Sequence, residues 1–247
     1  MDDEARLEAF CNDFAQLAGK KVLVHGGSVL ASRVQEALGV PAVKLEGRRV
    51  TDADTLQVVT MVYAGWYNKH LVALLQSRGC DAIGLSGCDA SVVTASRRPP
   101  RALSGGRVVD FGFVGDVGPG SVRNSFLSSL MDMGMVPVLS AINHDGHGQL
   151  LNTNADTVAA SVAASLGARL VYCFEKDGVL ADPGCPDSVL AGLDSAAFAE
   201  LKASGAVSEG MLPKLETAFS ALATGVPEVV IKNAARLLDG SGTKICL

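Results

Sequence analysis

The sequence predicts an α/β fold, a three-layer α/β/α sandwich with a central, mainly parallel sheet. Three observations predict it. Short apolar runs alternate with longer helix-compatible stretches, some of those runs end on glycines, and the 247 residues are 48% hydrophobic but only 5% aromatic. A chain of this length buries a substantial core. Its aliphatic side chains and 27 glycines suit strands interleaved with closely packed helices. Crossover connections between parallel strands then place helices on both faces of the sheet.

Each element follows from its own pattern. Leu7, Phe10, Phe14 and Leu17 recur at helical spacing, which predicts an amphipathic helix over 4–18. Lys21 to Gly27 is an apolar run that stops at paired glycines, a strand and tight turn, with a helix over 29–38. Thr51 or Asp52 is the N-cap of one long helix over 52–77. Residues 81–87 repeat the strand-to-glycine pattern, and the Arg-, Pro- and Gly-rich stretch 94–107 is a loop. A strand or short hairpin over 110–117, a helix over 121–133 and a strand over 136–140 follow, then a turn at 144–148. An alanine-rich helix over 154–166 leads to a strand over 169–174. Beyond a polar loop at 182–188 come helices near 195–203 and 213–224 and strands at 228–232 and 242–246. The chain shows no internal repeat and no long linker, so 1–247 is expected to be a single domain.

Composition excludes several function classes. A net charge of −5 gives no basic footprint for extended nucleic-acid binding. No apolar run approaches the ~18 residues of a membrane span, and no signal peptide precedes Asp2, so a soluble, cytoplasmic protein is expected. The 6 cysteines contain no CxxC pair. Three disulfides are one reading. Buried free thiols in a reducing compartment fit better, because four of the six cysteines sit in or beside apolar or glycine-rich strand-like segments.

In open sheets of this kind ligands gather beyond the carboxyl ends of the strands, where the polar motifs fall. Gly26 and Gly27 let backbone N–H groups approach an anion, with a helix N-terminus behind them; a plain tight turn is the alternative. Arg48 and Arg49 precede a helix and offer a guanidinium clamp for a carboxylate, or a solvated basic turn. Asn152, Asn154 and Asp156 crowd one helix start, more polar groups than capping uses. Lys214 follows Pro213 in a helix first turn, where the dipole opposes its charge unless a phosphate faces it. His144 and His147 have HxxH spacing but no third ligand, so no metal site is assigned. Neither GxGxxG nor a P-loop occurs, which removes support for a dinucleotide-binding dehydrogenase and a Walker-type NTPase.

Taken in order, these pieces resemble the acetylglutamate kinases of the amino acid kinase family. The matching stretches are VLVHGG (22–27), GRRVTDADTL (47–56), MVYAGWYNK (61–69), AIGLSGCD (82–89), GFVGDV (112–117), GQLLNTNADT (148–157), EGMLPKLE (209–216) and GTKI (242–245). The resemblance implies the amino acid kinase fold, with an acyl-glutamate half over roughly 1–166 and a nucleotide half over roughly 167–247. It implies transfer of a phosphoryl group from ATP, carried with Mg²⁺, to the side-chain carboxylate of N-acetyl-L-glutamate, the second step of arginine biosynthesis. Gly26 and Gly27 would hold the acylated glutamate and the moving phosphate, Arg49 its α-carboxylate and Asn152 its acylamino group. Lys214 would stabilise the transferring phosphoryl charge while Asp156 organises the lysines around it. Glu175, Lys176, Gly178, Ser208 and Gly210 would bind the nucleotide. A homodimer is the assembly implied, with neither nucleic acid nor membrane as partner.

The sequence departs from the family pattern in places. The family opens with a strand bearing Lys-x-Gly-Gly, whereas this sequence opens in the following helix at Met1-Asp2-Asp3-Glu4; a recorded start that lies too late is the expectation. Ser28 replaces a third glycine, Cys88 stands where many relatives carry Lys, and Glu209 replaces a glycine. Two alternatives accompany the main reading. One is the same chemistry on N-succinyl-L-glutamate, since the sequence does not set the volume of the acyl pocket. The other is a catalytically impaired, ligand-binding member of the family.

Overall fold

The computed structural model describes residues 3–46, 48–103, 105–182, 184–185, 187–205, 207 and 211–247. It divides into two compact units, one of residues 18–158 and one of residues 3–17 with 159–247. The chain passes from one to the other within the helix Ala155–Leu166. No described helix is long and apolar enough to cross a membrane.

In the unit of residues 18–158, the apolar runs become a parallel sheet with Val136–Ser140 between Leu23–His25 and Ala82–Leu85. All residues of Val136–Ser140 are buried, as expected of a strand covered on both faces. The helix Ser28–Ala37 packs through Ala31 against Leu56, Val59 and Val62 of the helical stretch that begins at Ala53. Asp52 caps that stretch, its carboxylate accepting from the Thr55 N–H at 2.8 Å.

The stretch is not the regular helix expected over 52–77. It runs as α-helix over Ala53–Thr60, π-helix over Met61–Tyr67 and α-helix over Asn68–Gln76. The buried residues Val59, Tyr63, Tyr67, Leu71 and Leu75 recur every fourth position. A helix of 3.6 residues per turn would carry them progressively off one face. The wide π turn returns them to it, with Tyr63 and Tyr67 inside.

The segment 94–107, expected to be a loop, contributes to small antiparallel ladders. Ser96–Arg97 pairs with Gly115–Asp116, and Arg101–Ala102 pairs with Val108–Val109. Arginine in these strands conceals them from a hydrophobicity reading.

In the other unit the sheet order is Leu170–Phe174, Val229–Asn233, Thr243–Ile245, Gly192–Leu193. Its two outer pairings are parallel and the central one is antiparallel. Leu215, Ala218 and Ala221 of the helix Leu212–Ala223 pack in one core with Tyr172, Leu193, Val229 and Ile231. The first helix, Glu4–Gln16, buries Leu7, Phe10, Cys11 and Phe14 and belongs to this unit, although its position in sequence put it with the N-terminal half.

All six cysteines are free, but the expectation that they are buried is corrected. Cys11 and Cys80 are buried, Cys173 and Cys246 are half-buried, and Cys88 and Cys185 are exposed.

Candidate active site

The strand Leu23–His25 delivers the chain to Gly26 and Gly27 through a buried histidine. His25 Nδ1 lies 2.8 Å from the Gly26 carbonyl and must donate to it, so Nε2 accepts from Asn68 Nδ2 at 3.0 Å. Asn68 Nδ2 also donates to the Val138 carbonyl at 2.9 Å. The neutral imidazole thereby ties the glycine turn to the long helix and the central strand. Burial, with a smaller push from Lys69 against the favourable Gly26 contact, drives the His25 pKa down to about 4.

This arrangement has a pH consequence. The unfolded chain protonates His25 near pH 6.5 and the folded protein only near 4, so between those values the unfolded state binds more protons. Folding stability is expected to fall as pH drops through that window, by about 3 kcal/mol at its acid end. Urea unfolding at pH 7, 5.5 and 4.5 measures it. In His25→Gln the slope should flatten, and an unchanged slope would remove His25 as its source.

The paired glycines are not equivalent. A Cβ on Gly26 would make ordinary contact with Ala155, at 3.7 Å, whereas one on Gly27 would come within 2.9 Å of the Tyr63 ring. Tyr63 is held in place by the π turn, and its hydroxyl reaches Ser28 and Arg49. Burial pushes its phenol pKa up, so it stays protonated there. Gly27→Ala should therefore cost about 1–3 kcal/mol through overpacking, measured as a lower urea midpoint. Truncating the ring in Gly27→Ala/Tyr63→Leu should recover part of the loss relative to Tyr63→Leu alone.

Beyond the turn lies a cavity of about 240 Å³, lined by Gly26, Gly27, Arg49, Tyr63, Asn152 and Asp156 among others. Arg49 reaches it from the short strand Arg48–Arg49, which pairs with Lys44–Leu45. It is only 7% exposed. Its Nη1 donates to Gln35, and its Nη2 donates to the Ser28 carbonyl at 2.9 Å and the Ser32 hydroxyl at 2.8 Å. Every one of these acceptors is neutral. Nε has no partner, and among the described residues no carboxylate pairs with this guanidinium. A buried cation held in position but not neutralised is poised for an anionic ligand.

Asn152 comes from the antiparallel pair Ile142–His144 and Leu150–Asn152. Its Nδ2 donates to Thr51 Oγ1 at 3.0 Å, leaving the side-chain carbonyl for a ligand N–H. Asp156 stands in the first turn of Ala155–Leu166. The structure thus brings together every residue expected to bind substrate, with Asp156. It adds Lys44 and Arg98, which lie outside the matching stretches, and Tyr63 and Thr153, which lie within them but were given no role.

The second cavity, of about 600 Å³, belongs to the other unit and is lined by Phe174, Glu175, Lys176, Met211, Lys214 and Asn233, with Arg6 and Phe10 of the first helix. Lys214 Nζ sits 3.6 Å from the centre of the Phe174 ring. Gly178 does not line this cavity: a Cβ there would meet Thr243 Oγ1 at 2.7 Å, so close packing against Thr243 accounts for the glycine. Ser208 and Gly210 lie outside the described residues. Arg6 and Phe10 were missed because they precede the nucleotide half by most of the chain.

A model of the amino acid kinase family matches residues 1–233. The chain belongs to the amino acid kinase family. Within it, the acetylglutamate kinase of Bacteroides thetaiotaomicron is 47% identical over 249 residues, covering 99% of this chain and 94% of its own length. That of Methanopyrus kandleri is 42% identical over 232 residues, covering 94% and 93%. Among solved structures, N-acetylglutamate synthase from Neisseria gonorrhoeae, in complex with coenzyme A and N-acetyl-glutamate, superposes with a TM-score of 0.79 at 26% identity. The match covers 99% of this chain and 57% of that one. Carbamate kinase from Giardia, at 14% identity and a TM-score of 0.66, shares the fold. The expected amino acid kinase fold, mixed α/β with parallel strands and helices, is the one found.

Proposed function

We propose that this amino acid kinase transfers the γ-phosphoryl group of ATP to the side-chain carboxylate of N-acetyl-L-glutamate, giving N-acetyl-L-glutamyl 5-phosphate in the second step of arginine biosynthesis. The observation that carries this reading is Arg49, a buried guanidinium with an unpartnered Nε at a cavity that also presents the glycine turn and Asn152. That set matches an α-carboxylate, an acylamino group and a carboxylate due to become an acyl phosphate. The acetylglutamate kinases similar over nearly the whole chain support the same substrate.

Phosphoryl transfer to a carboxylate asks the protein for positioning and charge neutralisation rather than a covalent nucleophile. Arg49 clamps the α-carboxylate, Asn152 accepts from the acylamino N–H, and the amides at Gly26 and Gly27 face the acceptor end. Lys214 neutralises phosphate charge, and Asp156 contributes a carboxylate at the substrate cavity. Glu175, Lys176 and Met211 line the nucleotide cavity. Among the described residues no group of three or more His, Cys, Asp or Glu could hold a metal. Mg²⁺ would arrive on the nucleotide phosphates, in keeping with its preference for substrate phosphates over an all-protein cage.

The two units would work as one kinase domain in a cytoplasmic homodimer; light scattering of the purified protein measures the assembly. An ATP-dependent hydroxamate assay tests the activity. Product with N-acyl-L-glutamate but not with glutamate, aspartate or carbamate is expected. Turnover of free glutamate alone would overturn the assignment.

A further inference from the structure

The cavity bounded by Phe174 and Lys214 gathers positive charge from two helix starts. Arg6, Lys176 and Lys214 line it, with Glu175 as the acid among the described lining residues. Arg6 is the third residue of the helix Glu4–Gln16, as Lys214 is of Leu212–Ala223. The backbone N–H groups of a first turn carry partial positive charge and disfavour a cation there. Both helices nevertheless place one at this cavity. Little holds the Arg6 side chain where it is. Asp3, the N-cap of its helix, directs one carboxylate oxygen to the Ala5 and Arg6 N–H groups, at 3.0 and 3.3 Å. The guanidinium meets the other oxygen in an ion pair of 3.6 Å, between side chains 65% and 55% exposed. Water and salt screen such a pair, and an entering phosphate displaces it.

We propose that Arg6 binds the phosphate chain of the nucleotide alongside Lys214, which makes the first helix part of the nucleotide site. This rests on the nucleotide reading of the cavity, and it gives a role to a residue outside the stretches that carry the family resemblance. A polyphosphate spreads its charge along a chain longer than one ammonium can neutralise. A guanidinium offers planar, paired donors to two oxygens of one phosphate. Arg6 exchanges its screened contact with Asp3 for such a pair, while Lys214 serves the phosphoryl group in transfer. The helix is a firm support for it: Phe10, one turn farther along, also lines the cavity and is only 3% exposed, and Leu7 and Phe14 are buried beside it.

ATP, ADP and adenosine are the probes, each titrated calorimetrically into the full chain and into Arg6→Met and Arg6→Lys, with both KM values taken from the hydroxamate assay. Arg6→Met is expected to weaken ATP and ADP about tenfold and adenosine less than about twofold. KM for ATP should rise with that loss, while KM for N-acetyl-L-glutamate stays within about twofold. Arg6→Lys keeps the charge without the fork and should recover part of the affinity. Because the side chain is exposed, a melting temperature close to the parent's is expected for each variant. Unchanged ADP affinity in Arg6→Met would overturn the proposal and leave the nucleotide reading standing. Equal weakening of adenosine and ADP would also overturn it, since Arg6 would then act on the base or on the seating of the helix. A parent chain that binds neither ATP nor ADP would overturn both readings.

Discussion

Lys214→Ala is expected to lower kcat about 10²–10³-fold, the loss that follows removal of one preorganised group from a developing charge. Lys214 occupies the first turn of Leu212–Ala223, after Pro213, where the helix dipole disfavours a cation. The Phe174 ring 3.6 Å from its ammonium offsets part of that cost, by about 0.5–2 kcal/mol. The side chain nevertheless lines a cavity with Glu175 and Lys176. A lysine placed against the dipole and turned into a cavity suits a phosphate ligand. Lys214→Arg should restore part of kcat, because it keeps the charge while changing its shape. A merely structural lysine would behave differently. Lys214→Ala would then shift Tm by a few degrees and leave kcat within about twofold, and that result would remove Lys214 from the chemistry.

Arg49→Lys is expected to raise KM for the acyl-glutamate about 10²-fold with KM for ATP changed less than about threefold. Lysine keeps the charge but lacks the planar fork that pairs with a carboxylate, and charge-assisted bonds are worth about 1.5–3 kcal/mol each. The shorter list of donors also disturbs the free protein. Arg49 holds Gln35, Ser28 and Ser32 of the helix Ser28–Ala37 together, so a lower urea midpoint should accompany the kinetic change. The split between the two KM values separates lost recognition from general loosening. Equal increases for both substrates would contradict a role for Arg49 at the α-carboxylate.

The histidine and glycine effects share a cause with these. His25, Gly27, Tyr63 and Arg49 form one connected assembly: His25 fixes the turn, the turn abuts Tyr63, and Tyr63 reaches Arg49. Changes at neighbouring members should therefore be non-additive, and double-mutant cycles such as Gly27→Ala with Tyr63→Leu are the appropriate measure.

Much of this was legible in the residues themselves. Apolar runs ending on glycine located Leu23–His25 and Ala82–Leu85, and Asp52 announced the cap it makes. Gly26, Gly27, Arg49, Asn152 and Asp156 were identified because glycine pairs, clustered carboxamides and arginine before a helix are local patterns with local chemistry. They meet in one cavity because Gly26 and Gly27 end a strand of the parallel sheet, while two small antiparallel pairs carry Arg49 and Asn152 to the same place. The π turn was not legible, since the stretch over 52–77 read as one long helix. A four-residue repeat from Val59 to Leu75 exceeds the α-helical period, but sequence periodicity alone does not say where the extra residue is absorbed.

By itself the sequence determined the alternation of strands and helices, the family, and the candidate residues that line one cavity, since each is written in short-range pattern or in the order of motifs. Tertiary structure alone decided that Arg49 is buried without a counter-charge, that Gly178 packs closely on Thr243 outside the cavity lining, and that Lys44 and Arg48 rim the other cavity. Burial, charge balance and close approach depend on which distant segments come together. A cation's neighbours in space, not in sequence, determine whether it is solvated, paired or waiting for an anion.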